Sequence, residues 1–195
     1  MNNLINLLTK YPQCLEKRTY KPQETIFLEN DTCISVGIVK SGEISIKSYF
    51  ASGKEVTYNV LEEGQMFGNN LVFSSTPRYR GDVISQKQSE IWFISRGNLL
   101  KLLKQDDELL ALYLTQQSDF SKSLNFKIKL LTISSAEDRL TYYLTFNKGK
   151  IAYKSITKLA NELYLTRESL SRTITKMVKE KKITQLSKTL KLVDN

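Results

Sequence analysis

The stretch Thr166-Arg167-Glu168-Ser169-Leu170-Ser171-Arg172 puts two guanidiniums, one carboxylate and several hydroxyls on consecutive turns of one helix. Arg can donate two parallel hydrogen bonds to guanine O6 and N7, and Glu can accept from cytosine N4. Arg167, Glu168 and Arg172 therefore match the donor and acceptor code of the DNA major groove, with Ser171 between them able to reach a base or a phosphate. Upstream, Ser155 is an N-cap, and Ile156, Leu159, Ala160 and Leu163 recur at helical spacing. Ala160 supplies the small residue for a close helix crossing, Tyr164-Leu165 makes the turn, and Thr166 caps a second helix. Leu170, Ile174 and Val178 are expected to face the first helix. The spacing predicts a helix-turn-helix whose recognition helix, about 167–178, presents Arg167, Glu168, Ser171, Arg172, Thr175 and Lys176. The plain alternative is an amphipathic helix pair with solvated charges.

Charge favours the first reading. Residues 1–124 hold 14 basic and 14 acidic side chains, whereas residues 125–195 hold 15 and 6, so the whole excess of +9 lies in the last third. Such a field attracts a phosphate backbone without regard to sequence, and base contacts add the specificity. Lys154, Lys158, Lys176, Lys179, Lys181, Lys182 and Lys188 are the phosphate-contact residues expected. No bulky aromatic amphipathic face accompanies them, which argues against a membrane surface.

The chain has 195 residues and no histidine. Ser-His-Asp and Cys-His nucleophilic sites, histidine bases, histidine-ligated metals and histidine-bound haem are thereby excluded within it. A cupin-like metal barrel fails for the same reason. Cys14 and Cys33 lack zinc-site spacing and are read as small apolar residues, and Glu62-Glu63 and Asp106-Asp107-Glu108 as solvated turn and helix-start carboxylates. We find no Walker loop, nucleophile elbow or dinucleotide fingerprint, and no run of about 18 apolar residues to span a bilayer. The expectation is a cytoplasmic protein, not an enzyme, with no cofactor and no metal.

Two further regions must carry this helix pair. Over residues 18–95 apolar residues alternate, as in Ile44-Ile46, Val56-Tyr58-Val60 and Ile91-Phe93, while Gly42, Gly53 and Gly64 recur every 11 residues. Eight or so short strands in a jelly-roll-like β-roll are expected, with a hairpin at Ser52-Gly53. From about Asp107 to Thr132 there is no Pro or Gly. There Leu110, Leu114, Gln117, Ser121, Leu124, Ile128 and Leu131 form a heptad seam, the pattern of a helix that pairs with its own copy. Ser134-Ser135 ends the pattern as a hinge.

This order of parts resembles the catabolite activator/fumarate-nitrate regulator (Crp/Fnr) family of bacterial transcription factors. Gly42-Glu43-Ile44, Gly64-Gln65-Met66-Phe67-Gly68 and Arg167-Glu168-Ser169-Leu170-Ser171-Arg172 carry the resemblance, which spans nearly the whole chain. It implies an α+β protein: an antiparallel β-roll like a cyclic-nucleotide-binding domain (1–106), a dimerisation helix (107–133) and a C-terminal winged helix-turn-helix (134–195). It also implies that Glu168 and Arg172 contact bases and Arg167 a base or phosphate. One departure is Tyr164, where the family has Gly.

A second departure concerns the effector cassette. Cyclic-nucleotide-binding members have a Gly-Glu-Leu triplet whose carboxylate takes the ribose hydroxyl, then an Arg-Ser/Thr-Ala triplet whose guanidinium takes the phosphate. This chain reads Gly68-Asn69-Asn70-Leu71 and Arg78-Tyr79-Arg80, so the carboxylate is missing and Tyr79 and Arg80 stand at the key positions. Arg78 or Arg80 could still clamp an anion, and Leu124 and Asn125 are further pocket residues. The expected function is a homodimeric regulator that reads a palindromic operator in double-stranded DNA, meets RNA polymerase, and answers, if at all, to a small effector other than a cyclic nucleotide. The competing expectation is a small-molecule-binding regulatory subunit acting through a protein partner.

Overall fold

The computed structural model describes residues 3–193. The protein is α+β and divides into two compact units, one ending at Ser118 and the other beginning at Asp119.

The first unit opens with helix α1 (Asn3–Leu8), which buries Leu4, Ile5, Leu7 and Leu8. The sequence reading passed over it, because a single helical turn and a half shows no period. Eight strands follow: β1 (Leu15–Tyr20), β2 (Thr25–Phe27), β3 (Ser35–Ser41), β4 (Glu43–Tyr49), β5 (Glu55–Glu62), β6 (Met66–Phe67), β7 (Asp82–Ser85) and β8 (Ser89–Ser95). They form two antiparallel four-stranded sheets, ordered β1-β8-β3-β6 and β2-β7-β4-β5. Central β8 pairs on both sides and is almost wholly buried, whereas edge strand β1 exposes Glu16, Lys17, Arg18 and Thr19. Charges on an edge discourage pairing with another chain. Gly42, Gly53 and Gly64 all take positive φ at the expected turns.

Aromatic rings fill the roll. Phe93 meets Phe27 edge-on at 5.9 Å and Phe67 at 6.1 Å, and Tyr79 stacks on Phe27 at 4.5 Å. Offset and edge-on pairs of this kind add to area burial. Phe67 packs so closely on β3 that a Cβ on Gly37 would lie 2.1 Å from its ring.

Helix α2 (Arg96–Gln105) was not expected, since Gly97 in its first turn disguises it. Ser95 caps it by accepting from the Asn98 N–H at 3.2 Å, and Leu99, Leu102 and Leu103 are buried. Asp106, with φ −131°, breaks the helix and caps the next, accepting from Leu109 N at 2.9 Å and from the Tyr11 hydroxyl at 2.8 Å. Those bonds hold its carboxyl below the usual carboxylate range.

Helix α3 (Asp107–Thr132) runs 26 residues. Its first third packs on the β-roll core through Leu109, Tyr113 and half-buried Leu110 and Leu112. Two residues of the expected seam therefore face the first unit itself: Leu110 is half-buried against its core, and Gln117 donates to the Asn69 carbonyl oxygen at 3.4 Å. Leu114, Ser121, Leu124, Ile128 and Leu131 are exposed, Leu114 by 54 % and Ile128 by 57 %.

The second unit adds α4 (Ala136–Phe146), β9 (Lys150–Ala152), α5 (Ile156–Glu162), α6 (Arg167–Lys179), β10 (Ile183–Leu186) and β11 (Thr189–Leu192). The strands form one antiparallel sheet in the order β10-β11-β9, the wing beside the helix pair. Its core joins Leu130, Leu140, Leu144, Leu159, Leu163, Leu170, Ile174 and Met177. Among the described residues no helix is long and apolar enough to cross a membrane.

Candidate nucleic-acid interface and effector cassette

Helix α5 begins where Ser155 accepts from the Lys158 N–H at 3.1 Å. Leu159 and Ala160 are buried on α5, and the Ala160 carbonyl accepts from Leu165 N at 2.9 Å, closing the turn. Tyr164 sits in that turn at φ +54°, the left-handed region where a side chain costs about 1–2 kcal/mol and glycine costs nothing of the kind. The turn is thus closed with a tyrosine where the family that the sequence resembles has glycine. Thr166 then caps α6, accepting from Ser169 N at 3.1 Å.

Leu170, Ile174 and Met177 are the buried stripe of α6. Val178, expected there, is exposed, because the stripe advances by four and then three residues and so lands on Met177. On the opposite face Glu168, Arg172, Thr175 and Lys179 follow one another at steps of four, three and four, all exposed, with Ser171 beside them. Arg167 is exposed in the first turn, where Glu168 also complements the helix dipole. The Thr175 hydroxyl donates to the Ser171 carbonyl at 3.1 Å. Lys176 departs from expectation: its ammonium lies 2.8 Å from a Glu137 carboxylate oxygen, to the side of the recognition line.

Sequence reasoning missed Arg139 as a functional residue. This side chain, in a residue only 9 % exposed, sends its guanidinium to backbone carbonyls: Nε and Nη2 to Ile133, and Nη1 to Leu163 at 3.1 Å and Tyr164 at 2.9 Å. It therefore ties the segment after α3 to the helix-turn-helix turn. The available signal was an arginine inside the apolar stripe that continues with Leu140, Tyr143 and Leu144.

The cassette in the first unit is built differently. Gly68, at φ +73°, turns the chain, and a Cβ there would lie 3.0 Å from Cys33 Sγ and 3.3 Å from Tyr79 Oη. Asn69 is buried, and its carbonyl accepts from the Tyr113 hydroxyl at 3.0 Å, while Asn70 is exposed and Leu71 half-buried. Tyr79 does not line an open pocket. It is 2 % exposed, and among the described residues its hydroxyl is the buried side-chain polar atom left without a hydrogen-bond partner. Burial pushes its pKa up strongly and also raises that of the Cys33 thiol.

Arg78, in an isolated bridge with Thr32, and Arg80, in a bend, flank Tyr79 and are both exposed, so neither guanidinium is buried in the roll. Arg78 donates to the Asn30 carbonyl at 2.8 Å. The other two pocket residues expected, Leu124 and Asn125, are exposed residues of the second unit. A cleft of about 420 Å³ opens elsewhere in the roll, walled by Leu15, Arg18, Phe27, Ile34 and Phe93 and by none of the cassette residues.

The family model for a cyclic nucleotide-binding domain matches residues 17–106. The chain is similar to the anaerobic regulatory protein of Bacillus subtilis (strain 168), 24 % identical over 126 residues, 65 % of this chain and 51 % of that protein. The match thus spans about half the length of the curated relative. Among solved structures, the catabolite activator protein of Thermus thermophilus is similar at a TM-score of 0.56 with 20 % identity, over 99 % of this chain and 91 % of that one. A CooA mutant from Carboxydothermus hydrogenoformans is similar at 0.68 with 19 % identity, over 98 % and 92 %. A cyclic nucleotide-binding domain thus matches residues 17–106, and the fold, in which this domain leads through a long helix to a winged helix-turn-helix, is similar to that of these solved structures.

Proposed function

We propose that this protein is a homodimeric, sequence-specific DNA-binding transcription regulator in which α6 reads base edges in the major groove. The outer face of α6 carries the reading. Arg167, Glu168 and Arg172 are exposed, and among the described residues none of their side chains has a hydrogen-bond or ion-pair partner. Opposite charges four residues apart commonly pair on a helix. Here Glu168 and Arg172 do not, which leaves their donors and acceptors for bases. The net charge of +9 beyond residue 124 supplies the attraction to phosphate.

The exposed apolar residues of α3 support pairing with a second copy. Two-fold symmetry then sets two recognition helices about 34 Å apart and makes the operator an imperfect palindrome. Such a regulator works in the cytoplasm, where RNA polymerase is a further partner. For the β-roll we propose an effector other than a cyclic nucleotide, or a scaffold role. Asn69 supplies no carboxylate for a ribose hydroxyl, and Tyr79 fills the place of the phosphate-binding guanidinium.

Selection of duplexes from a random pool by the full chain tests the reading. A shared palindromic motif with half-site centres one helical turn apart is expected. Enrichment of no sequence would overturn it.

A further inference from the structure

The basic charge of the second unit is not all free to meet phosphate. Lys176, in the last turn of α6, and Lys182, just before β10, converge on Glu137 in the first turn of α4. Lys176 Nζ lies 2.8 Å from Glu137 Oε2, and Lys182 Nζ bonds to Oε1. Glu180 closes the ring, 2.8 Å from Lys182 and 3.8 Å from Lys176. The two cations and two anions cancel. The lysine side chains are more than half exposed, but that of Glu137 is only 22 % exposed. Its two hydrogen-bonded lysines bring its carboxyl down to about 2. By contrast Lys179, on the recognition line, has no such partner among the described residues.

We propose that Glu137, assisted by Glu180, sets the specificity of the DNA interface by withholding Lys176 and Lys182 from the phosphate backbone. This rests on the reading of α6 as a recognition helix. A single exposed ion pair gives way readily to a stronger anion. This cluster is harder to open, because releasing both lysines leaves two carboxylates, Glu137 and Glu180, without their cations beside a polyanion. Every lysine kept on Glu137 is one phosphate fewer neutralised, and each neutralised phosphate contributes about 0.9 to the slope of log affinity against log salt. The withheld contacts are sequence-independent ones, so their absence lowers the background against which base contacts are read.

The test uses the full chain and a random-sequence duplex titrated over about 50–200 mM salt. Glu137→Gln combined with Glu180→Gln frees both lysines. The slope should steepen by about 2–4 units per dimer, with affinity at low salt rising about tenfold or more. Asp138→Asn, which removes the neighbouring carboxylate that holds no lysine, should leave the slope unchanged and so controls for the overall field. Adding Lys176→Gln and Lys182→Gln to the double variant should return the slope to that of the wild type. A quadruple variant with a clearly shallower slope than wild type would show that these lysines already touch phosphate, and would overturn the proposal. So would a folded double variant with the wild-type slope. A wild-type chain that binds no duplex even at low salt would instead sink the recognition-helix reading itself.

Discussion

Arginines flank the informative residue in both units, yet the two segments treat it in opposite ways. In α6, Arg167 and Arg172 bracket a Glu168 that stays in solvent, because the helical period turns the apolar Leu170, Ile174 and Met177 inward and leaves the charged set outside. In the cassette, Arg78 and Arg80 stay exposed on either side of a Tyr79 that goes inward to stack on Phe27. One segment therefore leaves its polar groups in solvent. The other buries a ring. A motif survives in function only where the period of its element points the reactive atoms outward or into open space.

The comparison breaks most severely at Arg139, which holds the helix-turn-helix turn in position. Arg139→Met leaves the carbonyls of Ile133, Leu163 and Tyr164 without their donor. At about 1–3 kcal/mol for each buried group left unsatisfied, a loss of several kcal/mol is expected, read as a lowered melting temperature of the second unit. An unchanged melt would refute the joint.

Next in size, Ile128→Asp places a carboxylate in the exposed stripe of α3 that we assign to a partner copy. Burying it in each half of a two-fold interface costs several kcal/mol, and light scattering should report monomers. A wild type already monomeric at micromolar concentration would remove the interface altogether.

The contrast is sharpened by Glu168→Ala and Arg172→Ala. Each should cost about 1–3 kcal/mol on the selected operator and leave affinity for random DNA nearly unchanged. Equal losses on both would turn these residues into simple phosphate contacts.

The smallest effect belongs to Tyr79. Tyr79→Phe deletes a buried hydroxyl whose polar neighbour is the Cys33 thiol, a weak partner, so stability should be unchanged or raised, by at most about 1–3 kcal/mol. Calorimetry with cyclic AMP and cyclic GMP should detect no binding to either form. A micromolar dissociation constant, or a variant clearly less stable than the parent, would mean that the ring is not a simple core filler.

The sequence made the helix pair of the second unit legible almost residue by residue, whereas its wing followed only from the family resemblance. Ser155 and Thr166 announce caps, and Ile156, Leu159, Ala160 and Leu163 before the turn and Leu170 and Ile174 after it keep helical spacing, so the pair and its outer face follow directly. The failures there are instructive. Met177 in place of Val178 is a one-residue phase error, and Lys176 looked available because its partner, Glu137, lies 39 residues away in sequence. No local pattern encodes a partner at that distance. In the first unit, alternation located the strands, whereas α1 and α2 were hidden by short length and by Gly97. The cassette was legible only as a departure from a family pattern. That Tyr79 would enter the core depended on which way an irregular segment, beside the isolated bridge between Thr32 and Arg78, turns toward Phe27, and no periodicity encodes that.

Arg139 carries a charge, yet its bonded partners are carbonyl dipoles, and they are covered. Counter-ions screen exposed charges over about 10 Å at 0.1 M salt, but they compete poorly for a guanidinium already enclosed by the backbone. Phosphate contacts weaken steeply under the same conditions. Ionic strength thus acts on one set of this protein's cationic bonds and spares the other. Salt should strip the chain from DNA while the turn that presents α6 stays set, so that on dilution the reader is ready at once, with no refolding step between release and rebinding.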